Sequence, residues 1–176
     1  MKLWLFAGFG FDYMEISASE SMGLGVQAGV ILNRWLSAGA SLHGVFTLNP
    51  LKDRFTTQDA NILCGHGGLF FAPIIYPGAL VHATIPVYVG YGSINYEQYN
   101  RAESASFISA SDNFMILKPG IEVELNLLSF VRIAIGGYYE CTSKLKLNQE
   151  GTGERILPRN VLNGFSVGMK LRFGKF

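Results

Sequence analysis

The chain has 176 residues, of which 49% are hydrophobic and 15% are charged, and its formal net charge is +1. A soluble domain usually carries about 25% charged residues, so this deficit indicates an apolar solvent, a large interface or an unusually large core. A single domain of this length cannot easily build such a core, because small domains have much surface per volume. The near-neutral charge provides no footprint for nucleic acid, which we do not expect as a partner.

Residues 60–96 contain no Asp, Glu, Lys or Arg, which raises the question of a transmembrane helix. Pro73, Pro77 and Pro86 interrupt this segment, and its apolar residues recur at every second position. In a bilayer only helices and closed barrels satisfy all backbone hydrogen bonds. Excluding the helix therefore leaves the barrel.

Period-two alternation of apolar residues with polar or small ones divides the chain into eight predicted strands. In chain order they are residues 2–16, 21–32, 35–48, 62–74, 81–96, 114–125, 131–140 and 164–176. We expect the apolar face of each strand to point outward. We also expect residues 1–11 to belong to the first strand and not to a secretory signal, because cleavage near Ala18 would delete that strand. A native signal would then already have been removed.

The predicted connections alternate between tight turns, at residues 33–34, 76–78 and 126–129, and long polar loops, at residues 49–61, 97–113 and 141–163. An even strand number with long loops on one side only is typical of outer-membrane barrels, whose long loops lie outside the cell. The sequence thus predicts an all-β fold over residues 1–176. The predicted fold is an eight-stranded antiparallel up-and-down transmembrane β-barrel of the bacterial outer membrane, with the lipid bilayer as its surroundings.

Three segments carry a family resemblance. The first runs from Gly67-Gly68-Leu69 to Gly90-Tyr91-Gly92, the second from Pro119-Gly120-Ile121-Glu122 to Gly136, and the third is Leu171-Arg172-Phe173-Gly174-Lys175-Phe176. Together they resemble small outer-membrane β-barrel proteins of the Bacteroidota, with an OmpA- or OmpX-like barrel. The resemblance implies the fold and the compartment, and no defined activity. Phe173 and Phe176 resemble the C-terminal signal read by the barrel-assembly machinery, which would be a partner during biogenesis.

Seven charged residues fall on the predicted inward faces of the last three strands: Lys118, Glu122, Glu124, Arg132, Glu140, Lys170 and Arg172. An eight-stranded barrel is just wide enough to be filled by side chains. Because buried charges must be paired and hydrogen-bonded, we interpret the set as a paired network that fills the interior. An ion path or a proton relay is the functional alternative. If the turn centres on residues 127–128 or 128–129, Glu124 and Arg132 should lie nearly opposite each other across the hairpin.

Other candidate sites are weaker. Tyr96, Tyr99, Arg101 and Phe107 belong to a predicted external loop, rich in aromatic and small polar residues, that is a candidate for binding a partner or a glycan. His43, His66 and His82 lie on three different strands without a ligand spacing, so we expect interior hydrogen bonds and no metal site. Cys64 and Cys141 form neither a metal spacing nor a disulfide framework, and we expect isolated thiols. We expect no cofactor.

We interpret the chain as a non-enzymatic, porin-like barrel that serves as a structural, adhesive or accessory component. A larger outer-membrane complex is a candidate partner. One alternative is a soluble lipocalin-like barrel that binds a small apolar ligand, which requires apolar residues inside and polar ones outside. Another is a lipid-modifying outer-membrane enzyme, although no nucleophile-elbow motif occurs in the sequence.

Overall fold

The computed structural model describes residues 2–17, 19–49, 51–52, 59–100, 105–147 and 157–176, with the backbone alone at residues 51–52, 59, 98–100 and 105–109. No helix in the described part of the chain is long and apolar enough to cross a membrane. The strands are β1 (Leu3–Ile16), β2 (Ser19–Leu32), β3 (Leu36–Thr47), β4 (Leu51–Lys52), β5 (Asp59–Ile75), β6 (Val81–Thr84), β7 (Val87–Asn100), β8 (Ala105–Leu128), β9 (Val131–Thr142) and β10 (Gly164–Gly174).

These strands close into a ring of antiparallel pairs. β1 pairs with β2 on one side and with β10 on the other, from Phe6 opposite Gly174 to Met14 opposite Ser166. β6 and β7 occupy one position of the ring, because both lie between β5 and β8, and β4 pairs only with the end of β5. The ring therefore has eight strand positions, which confirms the predicted eight-stranded up-and-down barrel.

The fifth barrel strand is interrupted at Ile85 and Pro86, where the sequence analysis predicted a continuous strand. Proline has no N–H to donate to the ladder, so the regular pairing breaks there. The interruption keeps its neighbours in place, because Ile85 donates to the Pro73 carbonyl at 3.1 Å and Gly120 donates to the Pro86 carbonyl at 2.9 Å.

Short connections join the strands at one end of the barrel, which we call the turn end; the opposite end is the loop end. Asn33 and Arg34 both have positive φ, of 49° and 71°, and the Trp35 amide donates to the Leu32 carbonyl at 3.1 Å. Positive φ at both central residues is the requirement of a type I′ hairpin turn. The turn predicted at residues 33–34 is thus confirmed.

The outward face of the barrel is a continuous apolar band. On β1 its side chains are apolar from Leu3 to Tyr13, and Glu15 is the first charged one. This stretch matches the roughly 9–11 residues with which a tilted strand crosses the hydrocarbon core of a bilayer. On the other strands the band includes exposed Leu24, Val26, Leu42, Leu69, Val89, Met115, Ile121, Ile135 and Val167. The predicted outward direction of the apolar faces is confirmed.

Candidate functional site: the charged interior

Two glutamates form the centre of the interior. Glu122 and Glu124 lie on β8 and are fully buried. Glu122 accepts hydrogen bonds from Lys170 Nζ at 2.7 Å and from Arg172 Nη2 at 2.8 Å. Glu124 accepts one from Arg132 Nη1 at 2.7 Å and is also paired with Arg172 Nη1. Arg172 therefore bridges both carboxylates with the two arms of its guanidinium group.

Three further side chains, Tyr138, His82 and Thr84, complete the contacts of these carboxylates. Tyr138 donates its hydroxyl to Glu122 at 2.7 Å, and His82 Nε2 lies 3.0 Å from Glu124. The Thr84 hydroxyl lies 3.1 Å from an oxygen of each glutamate. Since a buried carboxylate is tolerable only when its acceptor sites are used, these contacts are part of what makes the pair stable.

A second ion-paired group lies toward the loop end. Lys118 Nζ is 2.9 Å from Asp12 Oδ2 and 2.8 Å from Glu140 Oε1. The Tyr138 ring joins the two groups, because Lys118 Nζ lies 4.9 Å from its centroid and Lys170 Nζ lies 4.5 Å from it. Ammonium groups at this range are attracted to an aromatic face. The interior charges thus form one connected network.

The structure brings together all seven residues that the sequence analysis assigned to the interior, and it adds Asp12 on β1. With Asp12 the network has four acids (Asp12, Glu122, Glu124 and Glu140) and four bases (Lys118, Arg132, Lys170 and Arg172). The seven predicted residues alone leave one base without an acid. That imbalance, together with the inward phase of Asp12 in the first strand, was the signal that could have identified it.

The Glu124–Arg132 contact exists, but the predicted hairpin register is wrong. Arg132 pairs with Asn126, Glu124 pairs with Ala134, and the register shifts at an irregularity between Asn126 and Leu128. The turn therefore centres on residues 129–130. Arg132 reaches Glu124 diagonally along the inward face, while its Nε donates to the Asn126 side chain at 2.8 Å.

Histidines and an aromatic residue pack beside the second charged group. The His43 and His66 rings stack at a centroid distance of 4.9 Å, and His66 Nδ1 lies 3.0 Å from the Tyr88 hydroxyl. His82 belongs to the other group, so the three histidines do not converge. The described residues include no cluster of three or more His, Cys, Asp or Glu able to hold a metal ion. Cys64 and Cys141 are both free thiols.

The loop end of the interior is apolar, which the sequence analysis missed. Barrel side chains there are buried against a connection that was predicted as an external loop. The barrel contributes Met14, Ile16, Val45, Ile62, Ile94, Tyr96, Phe114 and Ile116, and the connection contributes Leu145, Leu147, Leu157, Val161 and Leu162. We call these residues the apolar cap. The described parts of the connection, residues 143–147 and 157–163, therefore fold over the mouth, and their apolar residues were the available signal.

Replacing Leu147 with aspartate is expected to release the apolar cap without unfolding the barrel. Leu147 is 1% exposed, and an unpaired carboxylate is expensive to bury. The measurement is limited trypsin digestion in detergent, in which cleavage at Lys144 and Lys146 should become much faster. Asn160→Asp, at an exposed position of the same connection, is the control and should digest like the native protein. Equal digestion rates for the two variants would show that Leu147 does not hold the cap.

Of the four candidate loop-binding residues, only Tyr96 has a described side chain. Tyr96 is 2% exposed and lies within β7, so its assignment to an external loop is wrong. The predicted loop at residues 97–113 is largely strand, because β7 continues to Asn100 and β8 begins at Ala105. Arg101 and the side chains of Tyr99 and Phe107 lie outside the described residues.

The two phenylalanines of the predicted assembly signal point in different directions. Phe173 lies on β10 and is 42% exposed on the outward face. Phe176 packs into the turn-end mouth, where the Arg132 guanidinium lies 4.2 Å from its ring centroid. Their role in assembly stays a prediction.

Comparisons with known proteins agree on the fold. No protein-family model matches the chain, and no curated protein matches it significantly. The crystal structure of neisserial surface protein A (NspA) is similar, with a TM-score of 0.61 at 11% identity over 99% of this chain and 97% of that one. Two structures of Ail, the attachment invasion locus protein of Yersinia pestis, align with TM-scores of 0.49 and 0.46 at 11% and 12% identity, covering 98% of this chain and 95% of Ail. One of these holds the heparin analogue sucrose octasulfate. The likeness to NspA shows that the chain shares the fold of that barrel.

Proposed function

We propose that the protein is an integral outer-membrane β-barrel that neither catalyses a reaction nor conducts ions, and that serves as a structural, adhesive or accessory component. One observation carries the proposal: the barrel is apolar outside and holds a charge-balanced network inside. Only a hydrocarbon solvent makes this inverted arrangement favourable, because transfer of apolar side chains out of water drives their burial. The fold shared with neisserial surface protein A supports the proposal.

The same observation argues against the soluble lipocalin-like alternative. A soluble barrel that binds an apolar ligand needs an apolar interior and a polar outer face, and the middle of this barrel has the reverse. The two alternatives also differ in solubility. The proposed barrel needs detergent to remain monodisperse, whereas a concentrated, detergent-free monomer would support the soluble alternative.

We infer that the charged network is structural because it is closed to substrates. Glu122 and Glu124 are 0% exposed, and each already accepts hydrogen bonds from several donors. A general acid or base needs to reach the proton that it transfers. Incubation with purified outer-membrane lipid should therefore yield no turnover, whereas a modified lipid product would support the enzymatic alternative.

No stable open pore is expected in planar lipid bilayers. Ions would have to pass both the paired charges and the apolar cap, and an eight-stranded barrel is only wide enough for its interior side chains to fill it. The measurement is single-channel recording after insertion of detergent-purified protein, with an open porin as the positive control. Reproducible, sustained steps of nanosiemens size would contradict the closed interior. Conduction by the Leu147→Asp variant would also contradict it, because the charged network should still block the barrel.

The biological setting is part of the same proposal. The resemblance to barrels of the Bacteroidota supports a bacterium of that group as the source. The exposed Phe173 on the last strand supports recognition by the barrel-assembly machinery during biogenesis. Co-purification from native membranes at low detergent would identify a larger complex, and recovery of the barrel alone would argue against one.

A further inference from the structure

The exposed charged side chains at the turn end all have the same sign. Lys2, Arg34 and Lys175 are exposed there, and the described residues of this end (2–5, 32–36, 75–81, 125–131 and 173–176) include no Asp or Glu. At the loop end, in contrast, exposed acids such as Glu15 and Glu20 and exposed bases such as Lys144 and Lys146 both occur. The turn end therefore presents a positive surface to its surroundings.

A basin of about 360 Å³ opens at the centre of this positive surface. Arg34 and Lys175 line it as exposed residues, and neither has a carboxylate within salt-bridge distance among the described residues. Arg132, which is 5% exposed, forms its inner wall. Glu124 is already bound to Arg132 at 2.7 Å and is fully buried, so it does not neutralise the charges at the rim.

The basin also adjoins the apolar band. Leu127 and Leu128 line it and are 49% and 55% exposed, and Leu80 beside the opposite turn is 67% exposed. Trp4 lies on another side, with the Arg34 guanidinium 5.6 Å from its ring centroid. Indole rings and basic side chains are typical of the membrane–water interface. A ligand in the basin can therefore place a charged group among the bases while its apolar part remains in the hydrocarbon.

We propose that this basin binds the phosphate group of an anionic phospholipid from the membrane leaflet at the turn end. Arg34 presents a planar guanidinium group, which matches phosphate oxygens in a bidentate manner, and Lys175 adds a second positive charge. The inference rests on the proposed function, because it requires that the barrel lie in a bilayer. Basic residues at a membrane surface favour anionic over zwitterionic lipid, and the preference weakens with added salt.

The test is native mass spectrometry of the detergent-purified barrel titrated with phosphatidylglycerol or with phosphatidylcholine of the same acyl chains. We expect the native protein to retain phosphatidylglycerol at roughly thirtyfold lower lipid concentration, which is the scale expected from two basic residues. Arg34→Gln combined with Lys175→Gln should remove this preference. Lys144→Gln combined with Lys146→Gln removes the same charge at the loop end, where both lysines are exposed, and should retain the preference.

Equal retention of the two lipids by the native protein would overturn the inference, as would a preference that persists in the Arg34 and Lys175 variant. Millimolar inorganic phosphate is then added as a competitor. If it abolishes the preference, and if lipid retention does not depend on the acyl chains, the site binds a soluble anion and the lipid assignment is overturned. Should the double variant not fold, the preference of the native protein for phosphatidylglycerol is measured with added salt. A preference that weakens supports the basic site, and one that does not change overturns it. The fold is checked first on a gel, where a folded barrel migrates differently before and after heating. Absence of this shift counts against the proposed membrane barrel. A folded barrel that shows no preference for phosphatidylglycerol counts against the lipid site in the basin alone.

Discussion

Replacing Arg172 with methionine is expected to destabilise the barrel by about 3–5 kcal/mol, the usual loss when one partner of a buried ion pair is removed. Arg172 is 4% exposed and pairs with both Glu122 and Glu124. Its loss leaves two buried carboxylates with fewer positive partners at the centre of the network. Methionine keeps much of the packing volume, so the expected effect arises from the missing charge. The measurement is reversible urea unfolding in detergent micelles.

The control for this experiment is Arg159→Met. Arg159 is exposed in the connection between β9 and β10, so its replacement should leave the unfolding midpoint nearly unchanged. Adding Glu122→Gln to Arg172→Met should restore part of the lost stability, because one unpaired charge disappears. Similar midpoints for the two single variants would contradict the buried network. Strictly additive effects in the double variant would show that Glu122 and Arg172 are not energetic partners.

The second large effect is expected at Gly39, where two barrel strands approach closely. A Cβ atom at this position of β3 would overlap the Ala28 carbonyl oxygen and lie 2.6 Å from the Gly29 Cα atom. These are backbone atoms of the paired strand β2, so they cannot rotate away as a side chain can. Gly39→Ala should therefore destabilise the barrel by about 1–3 kcal/mol or more.

Gly44→Ala is the matched control, because Gly44 lies on the same strand and a Cβ there would meet nothing within 4 Å. Alanine at this position should be neutral, or stabilising by up to about 1 kcal/mol, because glycine loses more backbone entropy on folding. Urea unfolding of the two variants compares them directly. If Gly39→Ala were as stable as Gly44→Ala, the close approach of β2 and β3 would be wrong.

The sequence predicts the barrel well because one physical rule acts along its whole length. Side chains alternate across a strand, so a lipid-facing surface requires an apolar residue at every second position, as from Met22 to Leu32. The same alternation assigns Lys118, Glu122 and Arg172 to the inward face. In the short turn at residues 33–34, Asn33 is of a type enriched at positive φ, whereas Arg34 adopts a φ of 71° that is uncommon for its type.

Features that depend on tertiary contacts were missed. Polarity suggested a loop at residues 97–113, yet cross-strand pairing continues there, as in Tyr99 opposite Ser106. Buried residues such as Leu145 and Leu157 do not follow the two-residue alternation of a lipid-facing strand, because their burial depends on a connection that folds back over the mouth of the barrel. The irregularity between Asn126 and Leu128 shifts the turn from its predicted position. The alternation of side chains alone cannot determine such a shift.

The central claim is that the outward face of the barrel lies in hydrocarbon while the inward face is closed, and nitroxide accessibility along β2 tests it most directly. Single labelled cysteines at Glu20, Val26, Gln27 and Ala28 are introduced, one at a time, into protein that carries Cys64→Ala and Cys141→Ala and is reconstituted in lipid vesicles. We predict that labels at Val26 and Ala28 collide with oxygen but not with a water-soluble nickel chelate. The label at Gln27 should be shielded from both, and the label at Glu20 should be accessible to nickel. Nickel accessibility at Val26 and Ala28 equal to that at Glu20 would contradict the membrane barrel.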